Sequence, residues 1–167
     1  EENPFDDLRK ILLFDSNGED KREDLHLPTV DDYIKICKKY NKICVFELKN
    51  RIPKDKIREI VNIFAGYNYC DKVIFISFNK ENIIDVKDID PEFNAMFLSG
   101  EDDGTLIDFA EKYKVGLDLH YKIITKQLIE TAHSKGIKVN AYVVNERDVA
   151  DRLIDFGIDY ITTNIIE

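Results

Sequence analysis

The sequence has few of the residues that build disulfide frameworks, membrane spans or phosphate-binding loops. Its three cysteines, Cys37, Cys44 and Cys70, are odd in number and show no C-x-x-C spacing. We therefore expect core thiols in a reducing compartment, and neither a disulfide nor a metal site. No apolar run approaches the roughly 18 residues that a membrane-spanning helix needs. Gly100 and Gly104 are too isolated to form a glycine-rich phosphate loop.

Positive charge is also scarce, because 24 Lys and Arg face 33 Asp and Glu and leave a formal net charge of −9. This balance argues against a surface that binds nucleic acid. It leaves room for a phosphate ligand, which needs only a local cation. With 44% hydrophobic and 34% charged residues, the 167-residue chain is typical of a soluble globular protein, and we expect one domain, 1–167. The sequence shows no secretory signal pattern, so we expect a cytoplasmic location.

The main organisation of the chain is a rhythm of short apolar runs separated by helix-like segments. This alternation predicts βα units and a parallel sheet. The segments between the runs start at polar residues that suit helix N-caps: Thr29 with Asp32 three positions on, Asn79, Thr125 and Asn145. The apolar runs begin near Ile43, Val73, Ala95, Val115, Ile137 and Tyr160.

One of these runs, residues 43–50 (I-C-V-F-E-L-K-N), carries two opposite charges at its end. The apolar part predicts a buried strand. Glu47 and Lys49 lie two positions apart, so their side chains should point to the same face. Buried charges are unfavourable unless they pair with each other, a metal or a ligand. We therefore place Glu47 and Lys49 at the mouth of a site, with a simple ion pair as the alternative.

Polar groups follow every predicted strand, and in parallel α/β folds the loops after the strands form the site. The three histidines are not expected to be catalytic. We expect His26 to be solvated in a loop, His133 to lie on a helix surface, and His120 to form a local hydrogen-bonded pair with Asp118. The sequence shows no recognisable Ser/His/Asp or Cys/His arrangement for nucleophilic catalysis.

Several segments, in order and at fitting spacings, resemble the glycerophosphodiester phosphodiesterase family. The segment L-R-K-I-L-L-F-D at residues 8–15 resembles the family's stretch just after its H-D motif. The other matching segments are L-P-T-V-D-D at 27–32 (family I-P-T-L-E-E), F-E-L-K at 46–49 (I-E-L-K), I-S-F-N at 76–79 (S-S-F-N), H-S-K-G-I-K-V at 133–139 (A-H-x-x-G-x-x-V), A-Y-V-V-N at 141–145 (V-W-T-V-N) and G-I-D-Y-I-T-T-N at 157–164 (G-V-D-G-I-I-T-D).

The resemblance implies a TIM-type (β/α)8 barrel that hydrolyses a glycerophosphodiester, such as glycerophosphocholine, to glycerol 3-phosphate and an alcohol. It implies that a divalent cation, Mg²⁺ or Ca²⁺, assists the reaction, with Glu47 as a metal carboxylate and Lys49 as a cation near the phosphate. Tyr142 stands where the family has Trp and keeps a ring for packing against substrate. Asn164 stands where the family has Asp, which removes a charge of unassigned role.

The departures from the family pattern indicate an incomplete barrel. The H-R-G motif, the E-x-D pair of metal ligands and the H-D motif, which include the catalytic His pair, are not in the chain. The chain thus corresponds to about six βα units, strands three to eight of the family barrel. One carboxylate holds a hard cation poorly, so we expect this chain to be inactive alone.

Three accounts of this incomplete site stay open. The chain is a fragment of the full enzyme, or pairs with another polypeptide, or is a non-catalytic member that binds a phosphate ligand or a protein. Because open strand edges invite pairing, we expect the opening to be filled by a partner, by self-association, or by residues 1–25. An open flavodoxin-like sheet is the alternative fold.

Overall fold

The structure is a computed structural model that describes residues 3–15 and 18–166. The chain divides into two compact units, Glu1–Lys42 and Ile43–Glu167. Among the described residues, no helix combines the length and the apolar character needed to cross a bilayer.

The first unit contains a short helix, a hairpin and a longer helix. Helix α1 (Phe5–Arg9) is followed by strands β1 (Leu12–Phe14) and β2 (Lys21–His26), which pair antiparallel, and by α2 (Val30–Lys39). The predicted cap of α2 is confirmed: the Thr29 hydroxyl accepts from the Asp32 N–H at 3.0 Å, and the Asp32 carboxylate accepts from the Thr29 N–H at 3.0 Å. This reciprocal pair satisfies two backbone donors at the helix start.

The second unit is a parallel sheet of six strands in sequential order, as the apolar rhythm predicted. Sequential parallel order requires each strand to return by a crossover, which the intervening helices supply. The sheet comprises β3 (Cys44–Glu47), β4 (Val73–Ser77), β5 (Asn94–Ser99), β6 (Gly116–His120), β7 (Val139–Tyr142) and β8 (Tyr160–Ile161). The helices are α3 (Lys54–Gly66), α4 (Lys80–Ile89), α5 (Leu106–Tyr113), α6 (Lys126–Ser134) and α7 (Arg147–Asp155).

The core of this unit lies between one face of the sheet and the helices. Phe75 on β4 packs edge-to-face against Phe64 on α3, with ring centroids 5.8 Å apart, and both are fully buried. Along β4 the residues alternate between buried and half-buried, as expected for a strand with unequal faces. Six parallel strands in sequential order, with helices against one face, are the arrangement of an open part of a (β/α) barrel, which confirms the predicted incomplete barrel.

The second face of the sheet is open at its first strand. We predicted a buried strand over residues 43–50, and this is only partly right: Cys44 is fully buried, but Ile43 and Val45 are 50% and 49% exposed. The reason is position, because β3 lies at one end of the strand order of the six-stranded sheet, next to β4. Within this sheet of the described residues, its inward-facing side chains therefore have a neighbouring strand on one side only.

The helix caps match the predictions with one exception. Asn79 and Thr125 accept from backbone N–H groups three residues on, at 3.2 and 3.1 Å. Asn145 was wrongly predicted as the cap of α7, which follows Glu146 instead. The Asn145 side-chain oxygen accepts from the Asn164 N–H at 3.0 Å. It therefore joins the ends of β7 and β8, a tertiary contact that helix periodicity cannot reveal.

Candidate active site

The carboxyl ends of the six parallel strands lie at one edge of the sheet, which we call the rim. Glu47 is the last residue of β3, and Lys49 follows two residues later. The Lys49 Nζ lies 3.9 Å from the Glu47 Oε2, and 32% of the Glu47 side chain and 78% of the Lys49 side chain are exposed. The structure thus brings the two predicted residues together at the rim, where solutes can reach both.

The backbone around Lys49 is held by two buried polar side chains: Ser77, which lies in the I-S-F-N segment of the sequence analysis, and Asn82, which sequence reasoning did not identify. Ser77 and Asn82 are both fully buried. The Ser77 hydroxyl donates to the Leu48 carbonyl at 2.5 Å. The Asn82 amide donates to the Leu48 carbonyl at 3.3 Å and to the Asn50 carbonyl at 2.7 Å. Because these carbonyls flank Lys49 on both sides, its Cα position is fixed by the start of α4.

The rest of this loop is anchored to the same helix. The Asn82 side-chain oxygen accepts from the Ile52 N–H at 3.0 Å and from the Arg51 guanidinium at 3.0 Å. The Arg51 guanidinium also pairs with Asp85 at 2.5 Å. We call residues 48–52 the Lys49 loop. One feature of the sequence could have indicated this arrangement: Asn82 is a polar residue at an inward position of a predicted helix, directly before Ile83.

Asp118 is a buried carboxylate on the inner face of β6. It is 4% exposed, and its Oδ1 accepts from the Asn140 amide at 2.6 Å. The same amide donates to the Thr162 hydroxyl at 3.0 Å. Burial raises the pKa of Asp118 to about 6, the hydrogen bond from Asn140 opposes the rise, and the negative charge of Glu47 adds to it. The barrel interior below the rim therefore carries a carboxyl that titrates near neutrality.

Four aromatic rings stand at the rim: Phe78, His120, Tyr121 and Tyr142, here called the aromatic group. Phe78 and Tyr142 meet at a centroid distance of 6.1 Å and an interplanar angle of 89°. His120 meets Tyr142 at 5.8 Å and 86°, and stacks on Tyr121 at 4.8 Å. Since β5 and β6 separate β4 from β7, the contact between Phe78 and Tyr142 spans the mouth of the sheet.

Two of the three histidine expectations need correction. His120 does not pair with Asp118; its Nδ1 accepts from the Lys122 N–H at 3.3 Å and its ring packs on Tyr142. Asp118 is turned instead to Asn140 on the neighbouring strand, its register partner. His26 is the last residue of β2 rather than a loop residue.

His133 lies on the surface of α6, as predicted. Its Nε2 is 2.9 Å from the Asp159 carboxylate, and 40% of its side chain is exposed. Cys37 and Cys44 are buried, as predicted for core thiols, and Cys70 is half-buried.

The side chains at the rim do not by themselves fit a divalent cation. Within residues 3–15 and 18–166, no three His, Cys, Asp or Glu side chains cluster closely enough to bind a metal ion. Mg²⁺ and Ca²⁺ need about six or more oxygen ligands. The Glu47 carboxylate alone, with an ammonium group 3.9 Å away, supplies too little. Any metal site that uses Glu47 therefore needs further ligands.

The parallel sheet is curled, helices lie on its outer face, and polar groups lie at the carboxyl ends of its strands. These features define the class of (β/α)-barrel proteins, whose sites lie at this rim. Within that class, the model of the "Glycerophosphoryl diester phosphodiesterase family" matches residues 7–167. The chain belongs to this family, as its sequence motifs indicated.

Individual relatives agree with this assignment. The chain is 28% identical over 98 residues to the glycerophosphodiester phosphodiesterase of Bacillus subtilis strain 168, a match that covers 56% of this chain and 33% of the relative. A glycerophosphodiester phosphodiesterase crystal structure from Parabacteroides distasonis superposes with a TM-score of 0.77 at 27% identity, covering 96% of this chain and 66% of that one.

A more distant structure supports the fold alone. A phosphodiesterase from Oleispira antarctica, solved in complex with the product sn-glycerol-3-phosphate, superposes with a TM-score of 0.76 at 22% identity. The match covers 83% of this chain and 57% of that chain. The chain therefore spans a third of the curated relative and under two thirds of these solved structures.

Proposed function

We propose that this chain carries one part of a glycerophosphodiester phosphodiesterase site and takes part in hydrolysing a glycerophosphodiester to glycerol 3-phosphate and an alcohol. The observation that carries the proposal is the Glu47–Lys49 pair at the rim, where Asn82 holds the backbone on both sides of Lys49. Family membership and the product bound to the Oleispira antarctica structure support the substrate class.

Lys49 is the proposed phosphate ligand among the rim residues. Its side chain is 78% exposed, so a phosphate oxygen can approach the ammonium group without displacing protein atoms. A fixed positive charge next to the phosphate stabilises the negative charge that develops during hydrolysis. Tyr142, whose ring lies at the mouth against Phe78, is the proposed surface on which the substrate packs.

Glu47 is the proposed link to a divalent cation, Mg²⁺ or Ca²⁺. In our proposal Glu47 supplies one oxygen ligand, and carboxylates outside this chain's described residues complete the set. Such an ion would draw charge from the phosphate. The half-exposed Val45 on the edge strand β3 and Ile43 directly before it support this view, because two further strands of a closed barrel would cover them. We expect a preceding segment, a second polypeptide or a second copy to supply those strands.

A second candidate is a non-catalytic member that binds a phosphate-bearing ligand or a protein partner. It is favoured by the lack, among the described residues, of three His, Cys, Asp or Glu side chains close enough together to hold a metal ion. We prefer the enzyme, because a binding module has no need for the Glu47 carboxylate next to its phosphate-binding lysine. The odd number of cysteines and the burial of Cys37 and Cys44 suit a reducing compartment, so we propose the cytoplasm as the location.

Phosphorus-31 NMR of the complete gene product, or of this chain joined to the N-terminal βα units of a family member, tests the proposal. Incubation with glycerophosphocholine should convert the diester signal to that of sn-glycerol 3-phosphate. Lys49→Met should slow the conversion by about tenfold or more, since a charged contact to phosphate is worth roughly 1.5–3 kcal/mol. Lys112→Met, on the outer helix α5, is the matched control.

A folded, completed protein that leaves the diester intact would instead support the binding module. Equal rates for Lys49→Met and Lys112→Met would contradict the role of Lys49.

A further inference from the structure

A cavity of about 740 Å³ lies at the end of the sheet opposite the rim. Its lining includes the first residues of three strands, Val73, Asn94 and Gly116, and the loops in which the helices between these strands end. None of the rim residues of the candidate active site lines it. Its volume lies in the range of cavities that bind small molecules. The cavity is therefore a second place on this chain where a small molecule can bind.

Lys87, in the last turn of α4, presents its amine to this cavity in a fixed geometry. Its Nζ donates to the carbonyl oxygens of Pro91 and of Phe93, the latter at 2.8 Å. An ammonium group has three N–H donors. A neutral amine has two, so the two carbonyls satisfy every donor of the neutral form, and its lone pair points away from both. Because Lys87, Pro91 and Phe93 all line the cavity, a small molecule inside it can reach this lone pair.

The surroundings of Lys87 also favour the neutral amine. Burial lowers the pKa of Lys87, and the positive charge of Lys114 lowers it further. The negative charges of Glu92 and Asp90 oppose this shift without cancelling it. Burial and a neighbouring cation are the features that make a lysine nucleophilic at neutral pH. Lys87 therefore differs from lysines on the exposed helix surfaces, such as Lys112.

Lys114, which follows α5 and lines the same cavity, is available to an anion. Among the described residues, its ammonium group has no hydrogen-bond or ion-pair partner. The two other lysines of the cavity lining are engaged. Lys135 pairs with Glu111, and Lys138 donates to the Tyr160 hydroxyl at 3.1 Å. A negative charge that forms on the neighbouring amine would therefore have Lys114 as its counter-ion.

We propose that Lys87 binds carbon dioxide as a carbamate, which Lys114 stabilises. The lone pair of the neutral Nζ attacks the carbon of CO₂ and forms an N–C bond, while one pair of C=O electrons moves to an oxygen. The nitrogen releases one proton to solvent, and the product is a carboxylate attached to an uncharged N–H group. That N–H can still donate to one of the two loop carbonyls, and the carboxylate pairs with the Lys114 ammonium. The addition needs no oxidant, and the proton is all that it releases.

Carbon-13 NMR of the chain in buffer that contains carbon-13-labelled bicarbonate tests the proposal. A protein carbamate signal should appear beside the signals of bicarbonate and dissolved CO₂. Alkylation with a triethyloxonium salt, digestion and mass spectrometry should then place the trapped carbamate on the peptide that contains Lys87. Lys87→Arg should remove it, because the guanidinium keeps N–H donors for the two carbonyls but has no nucleophilic amine. Lys112→Arg, on the exposed surface of α5, is the matched control and should leave the carbamate in place.

Two results would overturn the proposal: a trapped carbamate that is absent from Lys87, or one that is spread evenly over the exposed lysines. The role of Lys114 has its own test. Lys114→Met should weaken CO₂ binding at Lys87 by about tenfold, because a charge-assisted hydrogen bond to the carbamate is lost. Lys138→Met removes another lysine of the same cavity and should change the binding by less than about twofold, as expected for a more distant charge. Equal effects of the two substitutions would show that Lys114 is not the counter-ion.

Discussion

Replacing Asp118 with asparagine should stabilise the protein at neutral pH and remove a pH dependence of its stability. Asparagine has the same shape as aspartate, and its side-chain oxygen can still accept the 2.6 Å hydrogen bond from Asn140. The substitution therefore removes the buried charge and leaves the packing around β6 and β7 in place. What it eliminates is the free energy needed to ionise a carboxyl group that is 4% exposed.

The magnitude follows from the pKa of Asp118, which burial raises from the ordinary value of 3.8 to about 6. In the unfolded chain this carboxyl loses its proton near pH 4, whereas the folded protein keeps it until about pH 6. Between these values the unfolded state binds fewer protons, so stability falls as the pH rises. At 1.36 kcal/mol for each pKa unit, the loss reaches about 3 kcal/mol above pH 6.

Urea unfolding at a series of pH values measures this effect directly. The stability gained by Asp118→Asn over the unchanged protein should be small near pH 4, grow between pH 4 and 6, and level off near 3 kcal/mol at pH 7. Asp108→Asn, on the exposed surface of α5, controls for the loss of one carboxylate from the chain. A gain at Asp118 that does not change with pH, or a loss that grows towards pH 7, would refute the reasoning.

Two further substitutions test the contacts around the rim. Asn82→Ala removes the buried donor to the Asn50 carbonyl and the acceptor for the Ile52 N–H, so it should lower the free energy of unfolding by about 3 kcal/mol. It should also speed amide exchange in the Lys49 loop, and an unchanged exchange rate there would contradict the anchoring role. Asn145→Ala should lower the free energy of unfolding by about 1 kcal/mol, because the hydrogen bond from the Asn164 N–H is lost. The helical circular dichroism signal should stay unchanged, and a weaker signal would show that Asn145 caps α7 after all.

The sequence predicts the fold more fully than the site, because the apolar periodicity of a segment depends only on which face of that one helix or strand is buried. The strand starts and the caps at Thr29, Asn79 and Thr125 depend on residues within a few positions of one another. The wrong prediction for Asn145 shows what such local patterns cannot reveal. An asparagine before a helix looks like a cap in the sequence even when its side chain instead accepts a hydrogen bond from a distant residue, here Asn164.

At the site, the sequence identified the Glu47–Lys49 pair because its spacing is local to one strand. It missed Asn82 and misjudged the partner of Asp118, since both make contacts with residues 22 to 34 positions away in the sequence. Burial of β3 was overestimated for a related reason. An edge strand can have the same apolar sequence pattern as a central strand, so the strand order of the sheet is needed to tell the two apart.

The most direct test of the central claim is the dependence of sn-glycerol 3-phosphate release on a divalent cation and on Glu47. The completed protein should release the product from glycerophosphocholine in Mg²⁺ or Ca²⁺ and stop when the ion is chelated. Glu47→Gln keeps the side-chain shape but weakens ion binding, and should lower the rate by about 100-fold, or about 3 kcal/mol. Full activity in Glu47→Gln, or activity that ignores chelation, would contradict the account.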